Sequence, residues 1–356
     1  MIDSTTALPK YDRLQSYNWN YERAPAPIVI DVPPVEGPWT FCGLPVDSPL
    51  GIPAGPLLNG RWCLYYASLG FDVLTYKTVR SRLRACYPVP NLQPVLCGQV
   101  SHEITELPAT DKMNGSWAVS YGMPSKEPDV WRADVAATRD ALPNGKLLSV
   151  SVVATVQEGW TPDDLAADYA QCAKWAVESG ADVVETNFSC PNVSTCDGQL
   201  YQNPEAARHV AETVRDAIGH VPYIAKIGHV PSRESADRLL DALSASVTAI
   251  AMTNSVATQV RGAGGLLFDG QKRGICGGAI LDASVAQTRM FHQLVTERHS
   301  GVQLIGVGGI SSAADVRRYI EAGADACHIA TAAMTEPDIG LRIRRSLSQA
   351  AVSRQR

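Results

Sequence analysis

Apolar residues along this chain alternate between two patterns. Short β-branched runs in which almost every residue is apolar give way to longer stretches with apolar residues every three or four positions. The continuous runs read as buried parallel strands, which lie between two layers and so lack a polar face. Eight are placed, at 49–55 (PLGIPAG), 71–79 (FDVLTYKTV), 147–155, 181–187, 223–228, 247–254, 303–309 and 326–332. Helical periodicity follows them, as at 163–180, 204–219, 234–246 and 313–324, so that one face of each helix can pack on a sheet. Two of these stretches reach a Gly before an Ala-Asp pair, at 180 and 323, where a glycine C-cap returns the chain to the next strand. Eight β–α alternations predict an α/β protein with a (β/α)8 TIM barrel. The alternative, an open doubly wound sheet, is weakened because no GxGxxG follows the first strand.

Two segments break the rhythm. Residues 1–45 are rich in Pro, Tyr and Trp with one short apolar run, PIVIDV (27–32), and read as an N-terminal arm or hairpin ahead of a barrel domain over 46–356. Within the barrel, 80–127 separates the second strand from its helix and 255–283 separates the sixth from its helix. Both insertions fall at the C-terminal face, where barrels of this type build their sites, and read as walls of that site rather than separate domains.

Composition narrows the class. The 356 residues are 45% hydrophobic and 19% charged, enough to bury a large core. A formal net charge of −5 argues against a general nucleic-acid surface. No apolar run reaches membrane-spanning length and the first residues lack a signal-peptide layout, so a soluble cytoplasmic protein is expected. Nine scattered cysteines form no CxxC pair, and seven dispersed histidines form no HxH or HExxH. Neither a metal site nor an iron–sulfur centre is expected.

Polar residues gather at strand ends: Lys77, Asn187 with Cys190, Lys226, and Asn254 with Ser255. In a barrel they converge on one mouth. Two lysines there can bind an anion, form a Schiff base or stabilise negative charge on a cofactor. Small-residue turns at 274–280, 306–310 and 330–334 add a phosphate grip, since backbone N–H groups after strands seven and eight favour an anion. A phosphate-bearing cofactor is expected.

The run NFSCPNV, with YKTV before it and AKIG, TNS, CGGAIL and GVGGI after it, resembles the dihydroorotate dehydrogenase family, whose close relative is the flavin domain of dihydropyrimidine dehydrogenase. The resemblance spans about 44 to 335, and a cysteine in the N-x-S-C-P-N motif is similar to the soluble class 1 enzymes. It implies FMN as cofactor, with Ala54 and Gly55 along the flavin and Lys77 and Thr78 near its ring. Lys226 would stand by N1 and the C2 carbonyl. Gly277, Gly278, Gly308, Gly309, Ala330 and Thr331 would grip the phosphate. Asn187, Asn192, Asn254 and Ser255 would hold a pyrimidine's amide edges. Cys190 would move the proton while a hydride goes to flavin N5.

The resemblance further implies a homodimer and, for the soluble class, fumarate as electron acceptor; a quinone fits less well, as no membrane-binding helices precede the barrel. One departure concerns the substrate: WAVSYGMPS (117–125) puts Val119 or Ser120 where the family has a ring-contacting asparagine. Asn114 nearby and arginines 80, 82 and 84, most of the arginines read as surface residues, are further candidates. Rival readings are a paralogue acting on a related cyclic amide or enone, a Schiff-base lyase using Lys77 or Lys226, and a binding barrel without turnover.

Overall fold

The computed structural model describes residues 8–100, 104–189 and 199–354. Eight strands close into a barrel: β1 Leu50–Ile52, β2 Val73–Val79, β3 Leu147–Val152, β4 Val183–Asn187, β5 Tyr223–Lys226, β6 Ala249–Met252, β7 Gln303–Val307 and β8 Ala326–His328. Each pairs in parallel with the next in sequence, and β8 closes on β1. Helices pack around it, and their ends follow the local chemistry. Pro162–Glu178 starts with a Thr161–Asp164 capping box, and Gly180, at φ 94°, turns the chain back toward β4.

The strands are shorter than their apolar runs. GVGG after β7 bends away at Gly308 (φ 126°), and the residues after His328 enter a short helix, Thr331–Thr335. Small apolar residues in a turn look like strand to a hydrophobicity pattern. The arm carries a helix, Tyr17–Glu22, that the sequence pattern did not place. The run 27–32 is extended without joining a sheet; Ile28, Ile30 and Val32 pack inward while Val29 is exposed.

Period-two alternation sends one set of side chains into the barrel. At the floor these are Val73, Leu147, Val183, Ile224, Ala249 and Ala326, closed from below by Phe41 of the hairpin Thr40–Phe41/Leu44–Pro45. One step higher the same face carries Thr75, Ser149, Glu185, Lys226 and His328, all buried. The His328 ring stacks on Phe41 with centroids 5.5 Å apart.

The two insertions are one structure. Strands Leu92–Pro94, Ser116–Val119, Arg273–Gly277, Val256–Gly262 and Gly265–Leu266 form a sheet in that order, and Glu106–Pro108 pairs alongside Val256–Gly262. This sheet has its own core, with Val95, Leu107, Ala118, Val260 and Ile275.

At the other end Asp72 ties the last helix, Ile339–Arg354, to the first strands. Its carboxylate meets Arg344 Nη1 at 2.7 Å and Lys146 Nζ at 2.8 Å and accepts from the Ser48 hydroxyl, while Arg344 Nε donates to Pro33 O. Asp72 is fully buried and Arg344 nearly so. Removing one partner strands a buried charge. Asp72→Ala is therefore expected to lower the unfolding free energy by about 3–5 kcal/mol, read by denaturant titration.

Candidate active site

The β2 strand carries a bulge. Its register with β3 shifts between Tyr76 and Val79, so Lys77 and Thr78 together oppose Ser151. A bulge re-aims side chains, and here it brings both residues toward the barrel mouth. Thr78 Oγ1 lies 3.0 Å from Ser151 Oγ, and Lys77 Nζ donates to Gly55 O at 3.3 Å. The Lys77 ammonium is covered by two rings, Tyr121 at 4.4 Å and Tyr17 at 5.9 Å from their centroids. Burial pulls its pKa down to about 8, partly opposed by Cys86 and helped by the charge of Lys226. Neither ring carried a signal in the spacing of the sequence.

On β4, Asn187 Oδ1 accepts from Ser189 N–H at 3.1 Å and from its hydroxyl at 2.7 Å, and Nδ2 reaches Met123 Sδ at 3.3 Å. Two residues earlier, Glu185 points into the barrel with Lys226 Nζ 3.2 Å from Oε1. The approach is an ion pair by distance but off the hydrogen-bond axis, so neither carboxylate oxygen receives a hydrogen bond from the described residues. Beyond β6, Asn254 N–H donates to Ile227 O at 3.0 Å, and Nδ2 lies 3.4 Å from Ser255 Oγ. Cys276 Sγ contacts Asn254 O, and burial pushes this thiol up to about 12. Cys190 and Asn192 lie outside the described residues.

The small-residue turns come together. A Cβ at Gly277 (φ 97°) would stand 2.1 Å from Gly115 O, and Gly278 N–H donates to that same carbonyl. A Cβ at Gly308 would meet Ser284 Oγ, and one at Gly309 would meet Leu281. Thr331, with Ala330 as N-cap, starts the short helix that contacts strand Arg273–Gly277. Gly277 and Gly278 thus join turn to sheet, and Gly278's amide is already engaged. Beside buried Ala54, a Cβ on Gly55 would meet nothing within 4 Å among the described residues.

Register separates Val119 from Ser120. Val119 pairs with Gly274 and Trp117 with Cys276, so Val119 shares the sheet face of Cys276, the face toward Asn254 and Ser255. Ser120 turns the other way, accepting from Arg273 Nε at 2.8 Å. Asn114 is exposed. Arg80 is buried, contrary to a surface placement, with its guanidinium on Met123 O and Ala154 O; Arg82 is exposed and bonds Gln157. Arg84 Nε donates to Gly122 O. A cavity of about 500 Å³ between the arm and residues 83–91 shares Tyr17 with the Lys77 cover but contains none of the strand-end residues.

A (β/α)8 barrel with two buried lysines, two asparagines and a cradle of small-residue turns at its mouth defines an enzyme of the cofactor-binding barrel class. The family model for dihydroorotate dehydrogenase matches residues 39–350, and the chain belongs to that family of flavin-dependent oxidoreductases in pyrimidine biosynthesis. A dihydroorotate dehydrogenase of Dictyostelium discoideum is 30% identical over 320 residues, covering 85% of this chain and 86% of that one. A dihydroorotate dehydrogenase (quinone) of Bordetella avium is 27% identical over 83% of this chain and 79% of its own. The crystal structure of the Eimeria tenella enzyme in complex with ferulenol superposes with a TM-score of 0.72 at 16% identity, covering 94% of this chain and 90% of that one, a likeness of fold. Among the described residues no helix is long and apolar enough to cross a membrane.

The depressed pKa of Lys77 makes stability depend on pH. An unfolded lysine titrates near ~10.4 and the folded one at about 8, so between these values the unfolded chain holds the extra proton. Stability of the cofactor-free protein is therefore expected to rise with pH across that window, by up to about 3 kcal/mol from this residue. Lys77→Met should lack the rise in thermal unfolding scans.

Proposed function

We propose that this chain oxidises dihydroorotate to orotate as an FMN-dependent dehydrogenase acting on a CH–CH bond. The observation that carries this reading is the placement of Lys77, Lys226, Asn187 and Asn254 at one barrel mouth, below a cradle of glycine turns. Those features fit a planar, phosphate-bearing group. The open side of Gly55 leaves room for a flat ring, and the positive-φ glycines Gly277, Gly308 and Gly309 allow close backbone approach. FMN, when bound, supplies the hydride acceptor at N5. Ala54, Gly55, Lys77 and Thr78 would line its ring, while Gly277, Gly278, Gly308, Gly309, Ala330 and Thr331 would surround its phosphate.

Within this reading Cys190 takes the proton from the carbon next to the substrate carbonyl. Asn187, Asn192, Asn254 and Ser255 hold the amide edges, whose donors and acceptors alternate as amide side chains do. Lys226 places positive charge where negative charge develops, and Lys77 adds a second cation that rings and burial shield from water. The cysteine in the motif supports the soluble class, with fumarate as acceptor, a homodimer and a cytoplasmic location.

Val119 favours a second reading. An apolar side chain on the face toward Asn254 cannot donate to a ring oxygen, which suits a paralogue acting on a related cyclic amide or enone. Anaerobic mixing of the oxidised protein with dihydroorotate decides between them. Bleaching of the flavin band is expected; flavin present without bleaching removes that substrate. Cys190→Ala is expected to slow this reduction by ~10²–10⁴-fold with flavin content unchanged, measured by stopped flow. Turnover with fumarate but not with a soluble quinone is the expected acceptor result.

A further inference from the structure

The barrel contains two buried lysines in unlike surroundings. Lys77 has no carboxylate within ion-pair distance among the described residues, and burial brings it down to about 8. Lys226 is as deeply buried, 4% exposed, but stands 3.2 Å from Glu185. Glu185 is itself fully buried, on the strand adjacent to β5, with Glu185 paired to Ile224 and Asn187 to Lys226. Burying either ion without the other would be costly, so each favours the position of its partner.

The other groups around Lys226 do not replace Glu185. Lys77 is a like charge from β2, His328 on β8 is held neutral by burial, and the Cys276 thiol is held protonated by burial. His328 falls to about 3, with the Lys226 charge as second cause. Thr75 and Ser149 on the same interior face are neutral. Among the described residues the carboxylate of Glu185 is thus the anion that faces Lys226, and the reading of its role rests on the flavin function proposed above.

We propose that Glu185 is a positioning residue for the reaction: it holds the Lys226 ammonium in place beneath the site and keeps it charged. The pair gives Lys226 a counter-ion that Lys77 lacks among the described residues.

Two measurements test this, one without the cofactor. In flavin-free protein, Glu185→Gln and Lys226→Gln should each lower the melting temperature, and the double variant should melt above the less stable single one. Destabilisations that simply add in the double variant would overturn the pairing. In flavin-loaded protein, the midpoint potential is followed against pH. Wild type should show the break near pH 8 from Lys77, and E185Q should add a further break that wild type lacks. That break should be absent in E185Q/K226Q and in Glu185→Asp, which keeps the carboxylate. An E185Q profile that superimposes on wild type sinks the proposal. Should E185Q fail to fold, folding of the double variant supports the pair and its failure overturns it. Absence of flavin from the purified protein would count against the function, while the melting cycle would still judge the pair.

Discussion

Closing eight parallel strands leaves an interior only wide enough for side chains, and every polar group placed there must find its partner inside the barrel. This constraint organises the molecule from floor to mouth. At the floor the chain uses apolar residues and seals them with Phe41. One step up it changes to Thr75, Ser149, Glu185, Lys226 and His328, and the charges in that layer are tolerable because the two ions face each other. Above them stand Lys77 and Asn187, each held by contacts from outside the barrel: rings from the arm and insertion for one, Met123 for the other. Polarity therefore increases along the axis toward the face where chemistry is done.

Local departures from regular structure aim that chemistry. A regular β2 would point Lys77 and Thr78 to opposite faces; the bulge lets both approach the mouth. Arg80 then fixes the end of the strand by bonding the carbonyls of Met123 and Ala154, which joins an insertion residue to the end of β3. The wall and the bulge hold each other in place, so the reach of Lys77 depends on residues that never approach it.

The barrel was legible because fully buried strands leave unbroken apolar runs, and glycine turns punctuate them. Strand ends were overdrawn where GVGG and IATA continued the apolar run into a turn. The inserted sheet was not legible, because the pairing that joins its two halves, Ser116–Val119 with Arg273–Gly277, links short strands some 150 residues apart. The aromatic cover of Lys77 was hidden for a similar reason, Tyr17 and Tyr121 being distant in sequence. Glu185, by contrast, was readable in principle. An acid two positions before Asn187 in an otherwise apolar strand must share its face. The choice between Val119 and Ser120 needed the register itself, since parity on an edge of unknown pairing has no sign.

The joined insertions also bear on how this protein can vary. Because residues 80–127 and 255–283 share a sheet and a core, neither can be exchanged for a relative's counterpart without leaving unpaired backbone and an exposed apolar face in the other. The wall over the mouth is inherited as a unit, although two distant stretches of the chain encode it. Substrate preference in such a molecule would drift by paired changes across the sheet, with Val119 and its neighbour Gly274 as one such couple.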